Sequence, residues 1–174
     1  MAIPQIKTDG DVQRKYLACA IDISDTETPE YLVIGYRITD SSIEFNADTE
    51  TGTDINGRNF GSVNNFEPQQ TFEPHRLTSG ELGSLGAKMI EYFRKREMQK
   101  FSQFKCIIIY GFLADNPDAG PYPADLYDAC TLTPNSLGGE SWTEMPFDVV
   151  YGGNVTTGSV TSLINKTVFT PAAP

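Results

Sequence analysis

The sequence predicts a mainly β protein: a β-sandwich or partly open barrel with one flanking α-helix and a long β-hairpin arm. Three observations predict it. Short runs with period-2 alternation recur between turn signals along a chain of 174 residues. Only one segment, Thr78 to about Met98, repeats apolar residues at helical spacing. One stretch, Ile43 to Pro74, becomes a polar ribbon with Asn56-Gly57 at its far end. The length is that of a single domain, residues 1–169, with 170–174 (Thr-Pro-Ala-Ala-Pro) expected as a mobile tail. With 39% hydrophobic and 11% aromatic residues, there is enough apolar surface for a core.

Residues 1–11 are mixed and expected to run along the surface. From Tyr16 to Ile23, apolar residues occupy both parities, which predicts a strand buried on much of both faces. Asp22, Asp25 and Glu27 follow in a turn ending at Pro29; the liganding pattern and obligatory glycine of a calcium loop are missing. Leu32, Ile34, Tyr36 and Ile38 alternate with Tyr31, Val33, Gly35 and Arg37, giving a second strand.

The arm comes next. Thr49, Thr51, Thr53 and Ile55 share one parity; Asp48, Glu50, Gly52 and Asp54 share the other, as on a solvent-facing strand. Asn56-Gly57 predicts a type I′ turn, and the return limb runs through Phe60, Phe66 and Phe72, broken by Asn64-Asn65 and Pro68. An isolated two-stranded ribbon is marginal in water. Two readings are open: a mobile surface loop in a monomer, or an arm ordered against a neighbouring subunit. The second is preferred, because a ribbon leaving its domain offers unpaired edges to another chain.

In the helix, Thr78 and Glu81 have capping-box spacing, and Leu82, Leu85, Met89, Tyr92 and Phe93 form an apolar stripe. Gly80, Gly83 and Gly86 fit neither nucleotide-binding fingerprint and are read as allowing close approach to a sheet. Cys106 to Leu113 is a continuous apolar run, hence a strand covered on both sides. Asp115 to Pro123 is a loop, Asp125 to Leu132 a strand, and Pro134 to Glu140 a turn. Trp142 to Tyr151 alternates again, with Pro146 marking an edge or bulge and Trp142 expected in the core. A last Thr/Val-rich strand reaches about Phe169.

Charge and composition exclude several functions. Thirteen basic against twenty-three acidic residues give −10, which argues against wrapping DNA. From Lys88 to Lys105, six cations face two carboxylates, so that segment is +4 and the remainder −14. No apolar run approaches membrane-spanning length and no signal segment is seen, so the chain is read as made in the cytoplasm. Cys19, Cys106 and Cys130 lie in apolar stretches and are read as reduced and buried; no CxxC spacing supports zinc. The single histidine, His75, is expected to be a structural hydrogen-bonder. No residue is assigned to catalysis, a cofactor or a metal.

Several soft motifs coincide: Asn46 to Asn59 in the arm, Phe66-Glu-Pro68, Ile6 to Tyr16 with Ile21-Asp22, the helix after Arg76, Asn135 to Gly139, and Met145-Pro-Phe147 through Tyr151-Gly-Gly153. In these the chain resembles the major tail proteins, or tail tube proteins, of tailed bacteriophages and Gram-positive prophages. The resemblance implies a structural virion protein, located in the tail and made in the host cytoplasm. It implies hexameric rings stacked into a tube through which double-stranded DNA passes without specific binding. Tape measure and tail terminator proteins would be partners. It places an inter-ring contact on the arm: Asn46, Asp48, Thr49, Glu50, Thr51, Thr53, Asp54, Ile55, Asn56, Gly57, Arg58, Asn59, Phe60 and Phe66. It also implies an acidic lumen, with the responsible acids unassigned. Other readings are the tube of a contractile tail or injection particle, a carbohydrate-binding sandwich using Trp142, and a small hydrolase.

Overall fold

The computed structural model describes residues 5–8 and 10–173. Residues 1–4 and 9 of the expected surface run, and the final tail residue, lie outside the described residues. The first half contains β1 (Leu17–Asp22), β2 (Tyr31–Ile34), β3 (Ile43–Glu44), β4 (Ala47–Thr53), β5 (Asn59–Phe66), β6 (Gln69–Phe72) and helix α1 (Ser84–Lys95). The second contains β7 (Phe104–Tyr110), β8 (Tyr122–Pro134), β9 (Phe147–Val150), β10 (Val155–Val160), β11 (Lys166–Thr167) and β12 (Phe169–Pro171). All strand pairings are antiparallel. The protein is mainly β with one flanking helix and a long hairpin arm, as expected.

The main sheet runs β11-β2-β1-β7-β8-β9-β6-β3, with β10 and β12 branching from β8; its ends do not meet, so no barrel closes. The thirteen-residue β8 joins its two halves. Tyr122–Tyr127 pairs with β10 and its later part, Thr131–Pro134, with β9, while β7 runs alongside with a register shift between Phe104 and Cys106. The sheet folds over at this strand. Cys19, Ile21, Cys106 and Ile108 from one half meet Phe72, Leu132, Phe147 and Val149 from the other, with Leu85 and Met89 of α1 in the same core. The opposite face of β7 is also covered: Ile107 and Ile109 pack with Tyr31, Tyr122 and Val160. That double burial is why β7 reads as an unbroken apolar run.

Several boundaries differ from expectation. β2 stops at Ile34 because the chain turns at Gly35–Ile38, with Arg37 at φ 57° and the Ile38 amide bonded to Gly35. Tyr36 is therefore exposed. The capping box does not form. Thr78 Oγ1 has no hydrogen-bond partner among the described residues, Glu81 pairs with Lys166, and Glu81–Gly83 is a 3-10 turn. A Cβ on Gly83 would lie 1.8 Å from the Thr78 carbonyl oxygen, so this turn folds against the preceding loop and α1 begins only at Ser84. It ends at Lys95, because Arg96 adopts the left-handed conformation and Glu97 bonds back to Tyr92.

The strand expected from Trp142 is reduced to β9. A Gly138–Glu144 bridge closes the preceding loop on itself and turns Trp142 outward, correcting its expected core position. Trp142 is 59% exposed, with the Arg76 guanidinium over its ring. The tail expected from Thr170 is partly a strand. Thr170 and Pro171 belong to β12, whose edge position tolerates proline and whose approach Gly158 permits.

Candidate assembly interface

The arm is a two-stranded sheet of its own: among the described residues β4 and β5 pair with each other and with no other strand. Its root is fixed by Asn46, which adopts φ 44° and donates from Nδ2 to the Glu67 carbonyl. A register shift between Asp48 and Thr49 follows. Farther out, Glu50 opposes Ser62, Thr51 opposes Gly61, and Thr53 opposes Asn59, to which its hydroxyl donates. Phe60 lies across Gly52, where a Cβ would come within 2.5 Å of its ring.

The tip is not the expected type I′ turn. Asp54 Oδ1 accepts from the amides of Asn56 and Arg58, and the Gly57 amide donates to the Asp54 carbonyl. Only Gly57 takes positive φ there. The Asp54 carboxylate has done what two left-handed residues do in the I′ turn, leaving one glycine to match the strands.

Every residue of β5 is exposed. Phe60 and Phe66 are each 54% exposed, and Ile55 is as open as in a free peptide (102%). Val63 and Phe45, which sequence reasoning left out of the contact set, are exposed too. Phe45 meets Phe66 edge-on, at 6.1 Å between centroids. These uncovered apolar groups sit on a ribbon whose two strands, among the described residues, pair only with each other.

A second surface was missed in the sequence. Across β3, β6, β9 and β8 the register aligns Glu44 with Gln69, Val150 and Thr131, and Thr71 with Asp148 and Thr133. The alternate row, Ile43, Gln70, Val149 and Leu132, faces the core. The outward rows contain two carboxylates and no cation. Asp148 accepts from the Thr71 hydroxyl at 2.6 Å and from Asn135 at 3.2 Å. Its signal in the sequence was period-2 alternation in four strands, but only pairing shows that the four polar sides are one face.

The residues with chemical potential are built into the core. His75 is buried; its Nδ1 donates to the Met145 carbonyl at 3.2 Å, and its ring stands edge-on to Phe147. Burial lowers its pKa. All three cysteines are free and buried, as expected. Burial pushes the Cys19 thiol up to about 12, beside the Tyr151 hydroxyl at 3.1 Å. Among the described residues no group of three His, Cys, Asp or Glu side chains is placed to hold a metal.

No family model matches the chain, and no curated protein does. Solved structures do. The chain is similar to one in the cryo-EM structure of the anti-feeding prophage cap, a tube-terminating cap: 15% identity over 91% of this chain and 99% of that one, TM-score 0.50. It is also similar to a chain of the six-fold symmetrised anti-feeding prophage baseplate (10% identity, 86% and 97% covered, TM-score 0.49). A third likeness is to a chain of the PVC sheath-tube complex of an extracellular contractile injection system (13%, 92% and 99%, TM-score 0.47). The first of these establishes a shared fold along nearly the whole of both chains.

Proposed function

We propose that this chain is a structural subunit of a phage-tail-like particle that self-assembles into stacked six-membered rings forming a tube. It performs no reaction; its work is association and passive conduction of double-stranded DNA. The observation that carries this reading is the arm, a ribbon that stands off the body with its apolar groups uncovered. The arm residues from Asn46 to Phe66 dock on a neighbouring ring, while sheet edges meet within a ring. The outward face bearing Glu44 and Asp148 lines the channel, where like charge keeps DNA from adhering. Tape measure and terminator proteins are the expected partners, and the tail of the particle the expected location.

A tube-terminating cap is the second reading, favoured by the likeness to the anti-feeding prophage cap. Negative-stain electron microscopy of concentrated protein separates the two. Extended hollow cylinders support the tube subunit, and isolated rings the cap. Images with neither would refute both. A surrounding sheath in native particles distinguishes a contractile tail or injection particle from a bare flexible tail.

A further inference from the structure

A cleft of about 410 Å³ opens beside the end of β2. Leu17, Val33, Ile38, Leu82 and Leu163 give it an apolar lining, with the exposed Tyr36 alongside. Arg14 and Lys15 line it too, and among the described residues no carboxylate does, although the chain as a whole carries −10. Arg14 donates to the carbonyls of Ser41 and Leu17. Among the described residues neither cation has a carboxylate within ion-pair distance. The Arg37 guanidinium lies over the Tyr36 ring and adds a third positive charge nearby.

We propose that this cleft receives the outer half of the arm from a second copy of the chain. Ile55 enters the apolar lining and Glu50 meets Arg14 and Lys15. This rests on the self-assembly reading above and names the surface on which the arm lands. The complementarity is twofold: an acidic ribbon with an uncovered isoleucine at its tip, and a basic cleft with apolar walls. No residue of the chain's own arm lines the cleft, so the arm of the same molecule leaves it open. The seven residues of β4 extend roughly 23 Å, enough to cross to a neighbour. The other basic surface, around the end of α1, fits less well. Lys95 and Lys100 are already paired with Glu91 and Glu97 there, and Arg96 lies over the Phe93 ring, which leaves Arg94 as its one cation without such a contact among the described residues.

Disulfide trapping tests the contact. Ile55→Cys and Tyr36→Cys are made as separate full-length variants at exposed positions, and the buried native thiols give little background. On oxidation, the mixture is expected to yield a covalent dimer that neither variant forms alone. In parallel, Lys15→Glu and Glu50→Lys are each expected to raise the concentration needed for assembly about tenfold, and their combination to restore it. Circular dichroism checks that each variant is folded. Cylinders from the wild-type chain without cross-linking in the mixture, or with Lys15→Glu assembling as wild type, overturn the docking site and leave the tube reading standing. Cross-linked dimers from a chain that never forms cylinders or rings do the reverse. Absence of both overturns both.

Discussion

Phe147 shows how much of this fold hangs on single side chains. It is fully buried, stacks on Phe72 at 4.9 Å between centroids, and takes the edge of His75 on another side. Phe147→Ala is expected to cost about 3–5 kcal/mol, read as a lower urea midpoint with unchanged slope. His75 itself makes stability pH-dependent. Burial holds its folded pKa below the ordinary 6.5, against the pull of the Met145 bond. On acidification the unfolded chain binds the proton first, so stability present above pH 6.5 is lost as pH falls towards the folded value. The thermal midpoint is expected to drop between neutral and mildly acidic pH, and His75→Gln to flatten that drop. An equal drop in the variant assigns the effect to other groups. His75 was legible as structural from its solitude in the sequence. Trp142 was not legible, since a short backbone bridge, Gly138 to Glu144, decides which way it points.

At the scale of elements, local structure was readable and partnership was not. The arm announced itself through period-2 segregation and turn residues, which are properties of neighbouring positions. Its tip differed because the Asp54 side chain accepts two backbone amides, a competition that a dipeptide signal ignores. The capping box failed for a similar reason: Gly83 packs on the Thr78 carbonyl where a helical turn was expected. The return limb, read as broken at Asn64-Asn65 and Pro68, runs unbroken through the asparagines as β5 on the arm and splits at Pro68 from β6 in the body sheet. As a two-stranded sheet that pairs with no other strand among the described residues, the arm is expected to be the least protected element in a dilute monomer. Hydrogen exchange of residues 47–66 should be fast in dilute solution and strongly slowed in assembled material. Equal protection in both states would show that the ribbon is stabilised by its own chain.

Across the whole molecule, the class of fold was legible but its bend was not. The long β8 changes partners along its length, from β10 to β9, and pairing between distant segments leaves no mark in local composition. The acidic outward face emerges only from that bend, because it aligns Glu44 of β3 with Asp148 of β9 across β6. If that face lines the channel, Glu44→Lys with Thr133→Lys is expected to leave cylinders intact and make them retain double-stranded DNA at low salt. Salt should release it; cylinders that stay inert to DNA argue that the face points elsewhere. The central claim is that the arm draws its stabilisation from another molecule, and removal of residues 49–64 tests it most directly. Asp48 and Asn65 already oppose each other, so a short glycine link closes the gap without disturbing the body. Electron microscopy of the shortened chain beside the full one should show a folded subunit that no longer forms cylinders. Normal cylinders from the shortened chain would contradict the account.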